Sequence, residues 1–194
     1  MTKFIKDFNY LEDHLPDGIV NYILNYFGWK YIAVQPLTEN FMEKYANKLD
    51  WRNIMYHQKL SMNFIEKHIH RLKLWYIADH QLLTEKFIEE HINELDWRDI
   101  SRYQNLSEEF IEKYSNRVYW TSISWKQDLS EKFIEKHADD VCWWSISRDQ
   151  VLSEKFIEKY AHRVYWNCIA IFQNVSKDFI EYCHKYYKCR PKEI

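Results

Sequence analysis

Glycine and proline are scarce in this sequence, with only two glycines and three prolines among 194 residues. Gly-rich nucleotide loops and disordered linkers depend on these residues, so both are disfavoured. The sequence also lacks a run of 18 apolar residues, the minimum expected of a membrane-spanning helix. Its opening residues, MTKFIKDFNY, contain no signal-peptide core. We therefore expect a soluble, cytoplasmic protein without membrane contact.

Cysteines are few, and charge of either sign shows little excess. The four cysteines fall in the last third of the chain and, without a secretory signal, are expected to be reduced: Cys142, Cys168, Cys183 and Cys189. Acidic and basic residues number 29 and 27, with no continuous basic stripe, which disfavours nucleic acid as a partner. No nucleophile–His–acid motif, carboxylate pair or phosphate loop is present, so we expect no catalytic residue, cofactor or metal.

Repetition is what the sequence has in abundance. A fixed spacing of 23 residues separates Phe41, Phe64, Phe87, Phe110, Phe133, Phe156 and Phe179. Gln recurs with the same spacing at Gln58, Gln81, Gln104, Gln127, Gln150 and Gln173. Such a period marks a repeat architecture. We number each copy from position 1, which is Leu37, Leu60, Leu83, Leu106, Leu129 or Leu152.

The first part of each copy predicts a short helix. Position 2 is always Thr or Ser, and position 3 is Glu except at Met62. A hydroxyl before an acidic first turn is typical of a helix start. Apolar or ring-bearing residues at positions 5, 6, 9, 10 and 13 then share one face, which predicts a helix of about ten residues.

The second part of each copy predicts another helix. Trp stands at position 15 in five copies, Ile at position 18 in all six, and Gln at position 22. Asp50 and Asp96 precede Trp as helix caps would. The second copy is interpreted as slipped by one residue, with Leu74 and then Trp75. Because alternation with period two is absent, we predict paired antiparallel helices and no strands.

These patterns predict an all-α fold, an α-solenoid of stacked two-helix repeats whose handedness the sequence does not determine. A single copy buries too little apolar surface to be stable alone, so each must pack on its neighbours. Residues 1–36 are expected to form a capping helix and a degenerate repeat. Residues 37–174 are expected to hold the six full copies, and residues 175–194 a half-repeat cap with a polar tail.

Three polar positions recur. Gln at position 22 falls on the apolar face and predicts an internal amide ladder between copies, the alternative being a surface residue that ends the helix. Glu at position 7 favours a solvated face with local ion pairs over an acidic ridge for a basic partner. His and Tyr interchange at position 9, which favours core filling by rings over a metal site.

Positions 16 and 20 lie one turn apart on the second helix, away from the Trp–Ile face. They carry Trp, Tyr and Arg, the residue types that dominate binding hot spots. We predict that this surface stripe binds a protein or peptide with a mild preference for acidic groups. Half-buried packing or a homodimer seam is the alternative. The surface stripe comprises Arg52, Tyr56, Trp75, Asp79, Arg98, Arg102, Trp125, Trp144 and Arg148.

Two motifs cover residues 37–187: L-[ST]-E-x-F-I-E-K-[YH] and W-x-x-I-x-x-x-Q. This short helical repeat, in a chain rich in Lys, Asn, Ile and Tyr, resembles the tandem-repeat proteins of giant DNA viruses of amoebae. The resemblance implies a soluble protein in the host cytoplasm or the virion. We expect a non-enzymatic scaffold for protein–protein interactions, with a homo-oligomeric structural component as one alternative.

A second resemblance is local. Leu15-Pro16-Asp17, followed by Ile19, Ile23 and Leu24, resembles the opening of an F-box, the helical motif that docks substrate adaptors onto cullin-type ubiquitin ligases. Gly18 departs from the acidic or similar residue usual there, and the second half of the motif is missing. A degenerate capping repeat accounts for the same residues. The resemblance implies an alternative function as a ubiquitin-ligase substrate adaptor.

Overall fold

The structure is a computed structural model that describes residues 8–187. Within this range all regular structure is helical, with 16 α-helices, one 3-10 turn and no strand. The expected all-α class is confirmed, and helix pairs recur with the period of the sequence, as in an α-solenoid. Two compact units, Met1–Asp96 and Trp97–Ile194, divide the chain inside the third copy.

Unit 1 contains the N-terminal helices and the copies that follow them. A 3-10 turn, Ile69–Arg71, links the two helices of the second copy. The helices are α1 (Phe8–His14), α2 (Asp17–Phe27), α3 (Trp29–Ile32), α4 (Glu39–Lys44), α5 (Trp51–His57), α6 (Met62–Lys67), α7 (Leu74–Ile77) and α8 (Glu85–Glu90).

Unit 2 begins with the second helix of the third copy. In this unit, the second helix of each copy packs against the second helix of the next copy. The helices are α9 (Trp97–Tyr103), α10 (Glu108–Lys113), α11 (Trp120–Lys126), α12 (Glu131–Lys136), α13 (Trp143–Asp149), α14 (Glu154–Lys159), α15 (Trp166–Phe172) and α16 (Lys177–Tyr187).

The predicted helix starts are confirmed. The hydroxyl at position 2 accepts a hydrogen bond from the backbone N–H of the Phe at position 5, as Ser130 does from Phe133 at 3.2 Å. Asp50 caps α5 through the N–H groups of Arg52 and Asn53. Both interactions satisfy backbone donors that the first turn of a helix leaves unpaired.

The first helix of each copy is shorter than predicted, because it has six residues rather than about ten. It ends at position 8, and the residue at position 9, such as His137, leaves the α-helical region with φ −107°. Position 13 therefore lies in the following turn. It is still buried there, as Leu49 and Val141 are.

The second copy keeps the register of the others, so the predicted slip is wrong. Leu74 occupies the inward place of the Trp at position 15 and is 8% exposed, whereas Trp75 is 56% exposed. The helix that they begin, α7, has only four residues, against seven in the second helices of the other five copies.

The core consists of Phe and Ile from the first helices and Ile from the second helices. Phe110 is 4% exposed, and Ile111 and Ile123 are fully buried. In unit 1, Phe8 of α1 and Leu24 of α2 belong to one hydrophobic cluster with Phe41 and Ile54. Gly28, with φ 79°, makes the turn between α2 and α3, a conformation that favours glycine.

Residues near both ends of the described chain contribute to the buried interior. Phe8 and Leu11 of α1 are buried, as are Val20 of α2 and Ile32 of α3. Phe179 of α16 is also buried. Phe4 and Ile5, and the polar tail 188–194, lie outside the described residues.

Candidate functional site

The glutamines at position 22 form the predicted internal ladder. The side-chain nitrogen of Gln150 donates to the carbonyl oxygens of Ser124 at 3.0 Å and Gln127 at 2.7 Å, one copy earlier. Its side-chain oxygen accepts from the N–H of Leu129 at 2.9 Å. Each such amide joins two copies through otherwise unpaired backbone groups. Rungs of the same kind are made by Gln58, Gln81, Gln127 and Gln173.

A second ladder, built from serine, was not predicted from the sequence. Ser124 is fully buried; its hydroxyl donates to the Trp120 carbonyl at 2.6 Å and accepts from the N–H of Cys142 at 2.9 Å. Ser101 and Ser147 bond in the same way to Tyr119 and Tyr165. Serine at position 19 in three consecutive copies was the signal available in the sequence.

The tryptophans at position 15 form an aromatic ladder with the next copy. Trp120 lies 4.6 Å from the ring of His137 and 6.3 Å from that of Phe133, measured between centroids. Its indole N–H donates to the Ser115 carbonyl at 3.1 Å. The indole therefore closes its own copy and packs on the following one, which supports the interpretation of position 9 as ring-shaped core filling.

The charge of the residue at position 12 correlates with whether position 9 of the same copy is Tyr or His. Tyr114 and Tyr160 occur with Arg117 and Arg163, whose guanidinium groups lie 4.8 Å and 5.9 Å from the Trp rings of the preceding copy. His137 occurs instead with Asp140, at 3.2 Å. Basic residues thus accompany tyrosine, and an acidic residue accompanies this histidine.

His68 is the exception to this matching, because it occurs with Arg71. Its ring packs 4.9 Å from Trp51 and 4.5 Å from Phe64, and neither ring nitrogen has a hydrogen-bond partner. Burial lowers the pKa of His68 below its ordinary value, with the neighbouring positive charge of Arg71 acting in the same direction.

The glutamates link copies, so the expectation of local pairs at position 7 is corrected. Glu112 accepts from Lys136 at 2.9 Å and pairs with His137 at 2.7 Å, one copy later, and these hydrogen bonds lower the pKa of Glu112. Lys67 pairs with Glu43, and Lys159 with Glu135, in the same way. The lysines pair with these carboxylates, which also counts against an acidic ridge for a basic partner.

Glutamate at position 3 acts on the next copy as well. The Glu131 carboxylate accepts from both the N–H and the hydroxyl of Ser153, the residue that caps α14. Glu39 contacts Ser61 and Glu108 contacts Ser130 alike. Thr38 is bound in the corresponding way by Asn9 of α1, whose side-chain oxygen accepts a hydrogen bond from the Thr38 N–H at 2.8 Å.

The structure places most of the surface stripe in solvent. Tyr56 is 59% exposed, Trp75 56%, Trp144 43% and Trp125 40%. Arg52, Arg98 and Arg102 are exposed as well. Asp79 differs, since its side chain is only 22% exposed and lies 3.3 Å from His80, without hydrogen-bond geometry. Its carboxylate is therefore largely turned away from solvent.

Arginines on the stripe lie against aromatic rings. The Arg148 guanidinium is 4.0 Å from the centroid of Trp144, and its Nε donates to Asp149 at 2.8 Å, which raises the pKa of Arg148. Arg98 lies 5.4 Å over Tyr119, an exposed ring at position 14 that the sequence interpretation missed. Tyr recurs at this position in Tyr165, also exposed. These contacts limit the freedom of the arginine side chains before any partner binds.

The described residues show no arrangement typical of a metal site, since no group of three or more His, Cys, Asp or Glu side chains converges there. Cys142 and Cys168 are free thiols, and burial raises the pKa of Cys168. Cys183 and Cys189 lie outside the described side chains. In the same part of the chain, no helix has the length and apolar character required to cross a membrane.

Comparison with known proteins yielded no family model, no curated protein and no solved structure that matches this chain.

Proposed function

We propose that this protein is a non-enzymatic scaffold that binds a protein or peptide partner through the surface stripe. The observation that carries the proposal is the pairing of Arg148 with Trp144, 4.0 Å apart, with the indole 43% exposed. An aromatic ring held in place and left partly in solvent supplies contact area at little entropic cost. Trp and Arg are also the residues most enriched in binding hot spots.

The charge of the stripe indicates the chemistry of the partner. In unit 2 the stripe contains three arginines, Arg98, Arg102 and Arg148, and no acidic residue, alongside Trp125 and Trp144. A partner segment with carboxylates next to apolar side chains would match both features. Asp79 contributes little to this surface, because its side chain is turned inward.

Affinity capture with the full chain as bait tests the proposal. Trp125 and Trp144 replaced together by Ala should reduce recovery of the captured partner, since both rings are removed while the buried ladders are kept. A matched control variant replaces Lys132 and Lys155 by Ala; both lysines are exposed and lie on first helices. Equal recovery by the two double variants would show that the stripe is not the binding surface.

An F-box-like substrate adaptor is the second candidate, favoured by the surface of α2. This helix exposes Ile19 by 51%, Tyr22 by 74% and Tyr26 by 77%, leaving an apolar face uncovered in the region of the F-box resemblance. The expected partner is a Skp-type adaptor. The full chain should then retain that adaptor and an Ile19→Asp variant should not; no retention by the unaltered chain dismisses this candidate.

A homo-oligomeric structural component is the remaining alternative, in which Trp125 and Trp144 pack against another molecule of this protein. Light scattering on the unaltered chain and on the Trp125/Trp144 double variant distinguishes a monomeric scaffold from a homo-oligomer. A monomer in both cases is expected of the scaffold, whereas a dimer lost in the variant would assign the stripe to self-association. The repeat's resemblance to giant-virus proteins leads us to propose the host cytoplasm as the place where the partner is met.

A further inference from the structure

The second copy departs from the repeat at position 15, where Leu74 stands in place of Trp. A cleft of about 450 Å³ lies at this point, entirely within unit 1. We call it the Leu74 pocket. It is lined by Ile69, His70, Leu72, Lys73, Leu74, Trp75, His91 and Glu94. Its volume falls within the range of about 300–1,000 Å³ found for small-molecule sites.

The lining of the Leu74 pocket matches the surroundings of a tryptophan in the regular copies. In the fifth copy, the Trp143 indole donates to the carbonyl at position 10, Ala138, at 2.8 Å. It lies 4.9 Å from the ring at position 9 of the next copy, Tyr160, and 5.9 Å from the Arg163 guanidinium at position 12. In the Leu74 pocket, these three positions are Ile69, His91 and Glu94.

The Leu74 pocket therefore lies where the Trp indole of position 15 lies in the regular copies. His91 packs on Phe87 at 4.5 Å, as the position-9 rings of the regular copies pack on theirs. The carbonyl oxygen of Ile69 accepts one hydrogen bond, from the N–H of Leu72 at 3.1 Å, and a carbonyl oxygen has two lone pairs. An apolar wall, a ring to stack on and an available acceptor are all present.

We propose that the Leu74 pocket binds a flat, neutral aromatic ring of indole size that carries an N–H donor. The ring stacks on His91 and donates to the Ile69 carbonyl. Lys73 and Glu94, of opposite charge at the rim, favour a neutral ring over a charged one. Trp75, 56% exposed, forms part of the mouth. Such a ring is supplied either by a free indole compound or by a tryptophan side chain of a partner.

Titration of the full chain with indole tests the proposal. Saturable binding is expected, detected as chemical-shift changes at the Leu74 methyls and as a rise in Tm. Indene has nearly the same size and shape as indole but no N–H donor, so it should bind roughly three- to tenfold more weakly, as the loss of one hydrogen bond implies. Equal binding of the two, or no saturable binding of indole, would overturn the proposal.

Two variants separate the Leu74 pocket from nonspecific binding. Leu74→Trp restores the repeat residue, so it should abolish indole binding and raise Tm. Leu82→Trp adds the same side chain at an exposed position and should leave indole binding unchanged. Indole binding that survives in Leu74→Trp contradicts the assignment. Should that variant fold poorly, Leu74→Phe makes the same test with a smaller ring.

A capped Ala-Trp-Ala peptide, compared with indole, distinguishes the two sources of the ring. Tighter binding of the peptide assigns the site to a partner's tryptophan, and tighter binding of indole assigns it to a free compound. Both outcomes support the site. Loss of peptide binding in Leu74→Trp, but not in the Trp125/Trp144 double variant, shows that the Leu74 pocket acts independently of the surface stripe.

Discussion

At the scale of single residues, position 9 shows how a side chain and its neighbour in the turn are matched. Tyr114 and Tyr160 occur beside arginine, whereas His137 lies between the carboxylates of Glu112 and Asp140. His68 alone combines a buried histidine with an arginine, and neither of its ring nitrogens is hydrogen-bonded. The second copy is therefore imperfect at position 9 as well as at position 15.

We predict that His68→Tyr stabilises the protein at acid pH. Burial depresses the folded-state pKa of His68, so the unfolded chain binds its proton more readily. The free energy of unfolding therefore keeps its full value at pH values above the unfolded-state pKa of about 6.5. It decreases as the pH falls toward the lower folded-state pKa of His68. Tyrosine beside Arg71 recreates the pairing of Tyr114 with Arg117 and removes that loss.

Urea unfolding at neutral and mildly acid pH measures this difference. The fall in unfolding free energy on acidification should be smaller in His68→Tyr than in the unaltered chain. His57→Tyr, at an exposed position, is the matched control and should keep the full fall. An unchanged pH dependence in His68→Tyr would contradict the assignment.

Gln150→Met should destabilise the protein, because methionine keeps the volume and removes every hydrogen bond of the rung. The N–H of Leu129 and the carbonyls of Ser124 and Gln127 would lose their partner. A buried group left unpaired costs about 1–3 kcal/mol, so a loss of that order or more is expected in chemical denaturation.

Val151→Met is the control for this substitution, since Val151 is 93% exposed. Surface substitutions of this kind usually change stability by less than about 0.5 kcal/mol. If Gln150→Met and Val151→Met unfold at the same denaturant concentration, the glutamine ladder does not stabilise the fold.

At the scale of the helix, each first helix is capped by its own copy and held by the one before. Ser153 caps α14, and Glu131 of the preceding copy binds both the N–H and the hydroxyl of that serine. The second copy has Met62 at the corresponding place, so Thr84 receives no carboxylate from position 3. Capping of α8 is correspondingly weaker.

Met62→Glu should therefore stabilise the chain. The new carboxylate would accept from the N–H and hydroxyl of Thr84, as Glu39 does from Ser61. Because the site is open to solvent, screening limits the expected gain to roughly 0.5 kcal/mol. Asn63→Glu places the same charge one residue along and should give no gain; an equal gain from both variants would point to net charge instead.

The elements were largely predictable because their signals are local. Hydroxyl caps, the Phe–Ile pair of the first helix and the Trp–Ile face of the second each occur within a few residues. The glutamine ladder was also predictable, since a polar amide on an apolar face must find partners. The lengths of the first helices were not, because the turn that begins at position 9 keeps position 13 buried, as in Leu49 and Val141, without continuing the helix.

The contacts between copies were harder to predict. Arg117 lies five residues from Glu112 in the same copy, but Glu112 pairs instead with Lys136 and His137 of the next copy. Spacing along one helix cannot reveal this choice, which depends on how the copies are stacked. The Leu74 pocket was hidden for a different reason, because the slipped interpretation assigned Trp75 to the place that Leu74 occupies.

At the scale of the whole molecule, stability depends on contacts between consecutive copies within each unit. Glutamine, serine, tryptophan and glutamate each join one copy to the next, by hydrogen bonds, ring stacking or ion pairs. A repeat of this kind is stabilised by its neighbours, and its stability rises with the number of interfaces. A regular copy that lies within one unit is then replaceable by the copy that follows it.

Deletion of residues 129–151, one full copy, tests this claim most directly. Gln173 would then face the carbonyls of Ser124 and Gln127, and Trp120 would face Tyr160, so every ladder is rebuilt. We predict a helical chain that unfolds cooperatively at a lower denaturant concentration than the unaltered protein, whereas deletion of residues 129–140 disrupts folding around the cut. A full-copy deletion that unfolds the protein as severely as the half-copy deletion would contradict the account.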